Sequence, residues 1–154
     1  MKAGGTPFLL LFSALWGACR VAPIVGPLDL QAPGWSIRQG QAVWIRQRGD
    51  EAVAGELLFA TRTDGACFLH FAKPPFTLAT ASSDANGWSA EDPPAGRHFA
   101  GRGPPPGRFV WFALADALRE QPVEGRWLFQ PRGDADWCLT NAATGEGLEG
   151  YLKP

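Results

Sequence analysis

Residues 56–72 read ELLFATRTDGACFLHFA. Two apolar runs, Glu56–Arg62 and Ala66–Ala72, flank Thr63-Asp64-Gly65, and that spacing predicts a β-hairpin. In the second run Cys67, Leu69 and Phe71 share one parity, so they share one face of a strand. The same pattern extends in both directions. Upstream, QAVWIRQ (Gln41–Gln47) is a strand that reaches the hairpin through RGDEAVAG. Downstream, Lys73-Pro74-Pro75 interrupts the ladder, since proline donates no hydrogen bond. FTLATAS (Phe76–Ser82) resumes it, and SDANG supplies Asn-Gly turn chemistry. GWSAE (Gly87–Glu91) and RHFAGR (Arg97–Arg102) then flank Pro93-Pro94.

One segment breaks the pattern. After GPPPG (Gly103–Gly107), RFVWFALADALRE (Arg108–Glu120) has helix length, and Trp111, Leu114, Ala115 and Leu118 fall on one stripe. Phe109, Phe112 and Ala113 widen the stripe, so most of the helix should be covered. Pro122 is expected to stop it. GRWLFQ (Gly125–Gln130), DWCLTN (Asp136–Asn141) and LEGYL (Leu148–Leu152) close the chain as strands. The expectation is mainly β, with eight or nine strands and one main helix. Short connections make neighbouring strands antiparallel. A twisted sheet this long curls. A curled, unclosed half-barrel with the helix on its concave side buries both apolar surfaces.

The N-terminus follows a different logic. Lys2, the apolar run Phe8–Trp16, and Gly17-Ala18 are the three parts of a secretory signal. The run is shorter than the roughly 20 residues a membrane span needs. Gly-Ala-Cys resembles a bacterial lipoprotein box, in which the cysteine is acylated and becomes the first residue; Leu15 stands four before Cys19 where such boxes usually place leucine three before. Residues 1–18 are therefore expected to be a lipoprotein-type signal peptide, and Cys19 the lipid anchor. Residues 19–34, with three prolines and two glycines after the cysteine, form a tether, and the domain spans 35–154. Arg20 stands where an acidic residue would retain the protein at the inner membrane of enteric bacteria. An outer-membrane anchor facing the periplasm is the expected location.

The chain has 154 residues, with 14 Lys and Arg against 15 Asp and Glu. This balance gives no footprint for nucleic acid and no polybasic stripe for anionic lipid. A monomer is expected. An exported compartment permits a Cys67–Cys138 disulfide. Strand alternation weighs against it, because Cys138 points away from Trp137 and Leu139.

Converging catalytic groups are missing. His70 and His98 lie in different segments, and no Cys-x-x-Cys or His-x-x-x-His spacing supports a metal. Gly-x-Ser-x-Gly is absent, and the prolines of GRGPPPGR remove the backbone donors that a phosphate cradle needs. No enzyme activity and no cofactor are expected. Arg48-Gly49-Asp50 and Arg132-Gly133-Asp134 read as turns.

Six tryptophans follow the signal, at Trp35, Trp44, Trp88, Trp111, Trp127 and Trp137. They either fill a core or line an apolar cavity. Parity nominates Leu69, Phe71, Phe76, Leu78, Trp127, Phe129, Trp137 and Leu139 as cavity-lining residues, with Trp111, Leu114 and Leu118 from the helix. Arg102 and Arg108, beside the proline loop, are either solvated or meet a lipid head group.

The succession GELLFAT, FLHFAKPPF, a turn and GW, RFVWFALADALRE and closing strands resembles the LolA/LolB lipoprotein-localisation family, and LolB more closely because it is itself a lipoprotein. The resemblance covers Trp35–Leu152 as a pattern, with fewer helices than that family has. It implies an unclosed antiparallel barrel lined by aromatic and aliphatic side chains. It also implies non-covalent binding of acyl chains or lipoproteins for insertion in the outer membrane. The alternative is a structural or protein-interaction envelope lipoprotein with a filled core and no ligand.

Overall fold

A computed structural model describes Val25 and residues 28–154. The expected signal peptide and Cys19 lie outside the described residues. Among the described residues the strands are β1 (Trp35–Ile45), β2 (Val53–Arg62), β3 (Cys67–Lys73), β4 (Phe76–Ser83), β5 (Gly87–Asp92), β6 (Arg97–Arg102), β7 (Trp127–Pro131), β8 (Asp136–Asn141) and β9 (Gly147–Lys153). The one α-helix, α1 (Val110–Leu118), lies between β6 and β7. Pro93–Ala95 adds a turn of 3-10 helix.

All nine strands form one sheet in the order β6-β5-β4-β3-β2-β1-β9-β8-β7. Every ladder is antiparallel, and β6 and β7 pair on one side only, so the sheet is not closed into a barrel. Its two edges carry features that discourage further pairing. β6 has Arg97 and Arg102, and β7 ends in Pro131.

Register explains which side chains meet. Leu57 pairs with Phe71, and Phe59 with Leu69. These four side chains are almost wholly buried. Leu69 pairs in turn with Ala81, and Phe71 with Ala79. On the other wing Leu139 pairs with Leu148. All of them point to one face, and the helix lies against it in a single continuous core.

The helix is buried nearly all round. Val110–Ala115 and Ala117 are buried, and only Asp116 and Leu118 are partly exposed. It touches β3 and β4 on one side and β7 on the other. The trough therefore wraps the helix, which is why its apolar residues exceed one stripe.

The helix stops at Leu118, before Pro122 can act. Glu120 takes a left-handed conformation, with φ of 59°. Its N–H donates to the Ala117 carbonyl at 3.1 Å, and the Gln121 N–H donates to the Asp116 carbonyl at 2.9 Å. That is the Schellman arrangement, in which a left-handed residue ends the helix and satisfies its last carbonyls.

Glycine permits the central curl. A Cβ on Gly40 would overlap the Tyr151 carbonyl oxygen, and one on Gly150 would overlap that of Gln41. Both glycines lie in the β1–β9 ladder, so the strands approach there more closely than a side chain allows.

Candidate functional site: the trough and its aromatic mouth

Seven of the eleven nominated residues are buried in the core: Leu69, Phe71, Trp111, Leu114, Trp127, Trp137 and Leu139. Leu78, Leu118 and Phe129 pack against its edge. Phe76 stands apart at 68 % exposure. The register shifts between Phe71 and Ala72, which leaves Leu78 as the extra residue on β4. A bulge of this kind ends the simple alternation. Beyond it Ala79 and Ala81 carry the inner face, and Phe76 lies at the hairpin tip opposite Lys73.

Few side-chain hydrogen bonds hold the helix in the trough. Arg38 donates to the Leu118 carbonyl at 3.2 Å, and Arg119 donates to the Gly65 carbonyl at 3.1 Å. At the other end the Trp127 indole N–H donates to the Gly107 carbonyl at 2.7 Å. Phe109 occupies the N-cap with no side-chain hydrogen bond. Gly103 and Gly125, both at positive φ, bracket the segment.

Near the N-terminus of the helix the trough opens into a mouth of about 170 Å³. Trp44, Phe99, Phe109 and Trp111 form its aromatic part, with Glu91, Asp92, Arg97, Arg108 and Glu146 among its charged groups. Trp44 and Trp111 meet edge to face at 5.0 Å between centroids, and Phe99 and Phe109 are 5.3 Å apart. The guanidinium of Arg46 lies 4.5 Å from the Trp44 ring centre and reaches Asp92 at 3.4 Å. Burial pushes the Glu146 carboxyl up to about 7, opposed by the Trp44 hydrogen bond and the Arg46 charge. Sequence parity did not find this acid, because it lies in the β8–β9 turn. Its signal is the lone glutamate between Gly145 and Gly147, which reads as solvated until Trp44 is placed beside it.

A larger hollow of about 660 Å³ lies across β1, β2 and β9. Its charged walls, Glu56, Glu149, Lys73, Arg132 and Asp136, include strand residues that alternate with core-facing ones. Trp137 also touches it, and the Trp137 indole nitrogen is buried without a hydrogen-bond partner among the described residues.

Cys67 and Cys138 are both buried and free. They occupy β3 and β8, with β2, β1 and β9 between them. Burial pushes the Cys67 thiol up, and the Ser83 hydroxyl 3.2 Å away opposes that shift. Of the two arginines beside the proline loop, Arg108 lines the mouth, while Arg102 pairs with Gly87 in the β5–β6 ladder. Gly49 and Gly133, at positive φ, place both Arg-Gly-Asp strings in turns. His70 lies half-buried, 3.0 Å from the Thr77 hydroxyl.

No helix among the described residues is long and apolar enough to cross a membrane. The fold is an open antiparallel trough plugged by one apolar helix. No family model matches the chain, and no curated protein matches it.

Proposed function

We propose that this is a lipid-anchored envelope protein, tethered through Cys19, that binds acyl chains non-covalently and serves lipoprotein insertion at the outer membrane. The observation that carries this reading is the helix. Seven of its nine residues are buried in a trough that the sheet leaves unclosed. Its ends run into glycine and proline segments, and its N-cap makes no side-chain hydrogen bond. The helix is a displaceable apolar plug, and an acyl chain is its chemical substitute. Binding requires no chemical step, since burying apolar surface at about 25 cal/mol per Å² supplies the affinity. The resemblance to the LolA/LolB family supports the same reading.

A second reading has its own observation. The interior mouth is about 170 Å³, below the ~300–1,000 Å³ of ordinary ligand sites, while the 660 Å³ hollow with mixed charge lies across β1, β2 and β9. A structural or protein-interaction envelope lipoprotein with a filled core would look like this.

Native mass spectrometry separates the two. The chain starting at Arg20 is expressed in a bacterial periplasm and purified without detergent. Released species of fatty-acyl or phospholipid mass support the acyl-binding reading. Bare protein that also takes up no added fluorescent fatty acid favours the filled core.

A further inference from the structure

We propose that the aromatic mouth is a head-group site that selects ligands carrying an anion on an apolar chain, with Arg97 and Arg108 as the receiving cations. This rests on the acyl-binding reading and adds the chemistry of the ligand's polar end.

Pairing within the mouth gives the argument. Asp92 pairs with Arg46 at 3.4 Å, and a Glu91 carboxylate oxygen lies 3.3 Å from the His98 ring nitrogen Nδ1. Glu146 accepts from the Trp44 indole at 3.2 Å. Neither Arg97 nor Arg108 has a carboxylate within ion-pair distance among the described residues. Arg108 lies 5.1 Å from the Phe109 ring centre. Arg97 and Arg108 are therefore the guanidiniums of this rim that no carboxylate holds, and they sit beside exposed aromatic surface, with Phe99 at 38 %. Guanidinium groups bind carboxylate or phosphate oxygens through paired N–H donors. A hollow of 170 Å³ has room for a head group, and the chain would follow the seam between helix and sheet.

Glu146 makes the site responsive to protons. The charged groups around it are Arg46 and Arg48 from the β1–β2 connection, Glu91 and Asp92 of β5, Arg97 of β6 and Arg108 ahead of the helix, with the His98 imidazole beside Glu91. Its carboxyl changes charge near pH 7. Protonation of Glu146 removes one negative charge from the mouth that holds the two arginines, so an anion is favoured as pH falls.

Calorimetric titration tests this with the chain from Arg20 onward, which keeps all nine strands and the helix. The probes are decyl sulfate, whose charge does not titrate, and uncharged decanol, both below any aggregation. Decyl sulfate should bind roughly tenfold more tightly than decanol at pH 6, as charge-assisted contacts at a partly exposed rim allow. Its affinity should weaken several-fold by pH 8. Arg97→Ala with Arg108→Ala should remove the preference and leave decanol affinity in place. Glu146→Gln should flatten the pH response. Decanoate against decyl phosphate then distinguishes a fatty-acid from a phospholipid source. Equal affinity for sulfate and alcohol, or a preference that survives the double arginine variant, overturns the head-group site and leaves acyl binding standing. Binding of neither probe overturns both.

Discussion

The Trp44 indole N–H donates to a Glu146 carboxyl oxygen at 3.2 Å, joining residues 102 positions apart in the chain. The bond fixes the β8–β9 turn over the aromatic mouth and holds an acid where water is scarce. Its carboxyl is pushed from an ordinary value of 4.5 to about 7. An acid with a raised folded pKa keeps a proton that the unfolded chain has released. Its stabilising contribution is full below about 4.5 and is lost as pH climbs through 7. After screening for partial exposure, the loss should be about 1–2 kcal/mol. Denaturant midpoints at pH 5 and pH 8 measure it. Glu146→Gln should remove this slope and be the more stable protein at pH 8.

Phe71 and Phe76 belong to one hairpin and have opposite surroundings. Phe71 is fully buried against Trp44 and Trp111, and Phe76 is 68 % exposed. Phe71→Ala should cost about 3–5 kcal/mol, while Phe76→Ala should stay within about 0.5 kcal/mol. Equal losses in guanidinium unfolding would refute the placement of the bulge at Leu78.

Glu120 ends the helix in a conformation that costs an L-residue about 1–2 kcal/mol. Glu120→Gly removes that cost and gives back part of it as unfolded-chain entropy. Thermal unfolding should show a net gain of about 0.5–1 kcal/mol. A loss would mean that the Glu120 side chain contributes more than the backbone relief.

Gly150 faces backbone on the inner side of β9. Gly150→Ala would drive a methyl group into the Gln41 carbonyl and the Ala42 backbone. The β1–β9 ladder would have to part at the centre of the sheet, and the cost should reach or exceed about 1–3 kcal/mol. Gly49→Ala, in a turn with nothing within 4 Å, should cost less despite its φ of 91°. Reversal of that order in a melting comparison would argue against the close approach.

Cys67 and Cys138 are free and buried. In the folded protein both should resist iodoacetamide at neutral pH, since burial keeps the reagent out and also disfavours the Cys67 thiolate, and both should react once denaturant is added. Reductant should leave the melting temperature unchanged. A drop in melting temperature on reduction would point to a covalent link.

The strand content, the one helix and the order of hairpins were legible in the sequence because each rests on local chemistry. Asp64-Gly65 turns the chain, Pro74 interrupts the ladder, and 108–120 has the composition and period of a helix. Burial of Leu69, Phe71 and Leu139 followed from alternation alone. Local pattern could not reveal that Leu78 is an extra residue, because a bulge depends on what the neighbouring strand supplies. It also carried the helix to Glu120 with Pro122 as its stop, whereas the helix ends at Leu118 and Glu120 is left-handed. Tertiary structure decided the rest: β1 and β9, from opposite ends of the domain, pair at the centre of the sheet, and Glu146 meets Trp44. Those contacts depend on how the whole sheet curls, and the curl depends on backbone approaches at Gly40 and Gly150 that no single segment specifies.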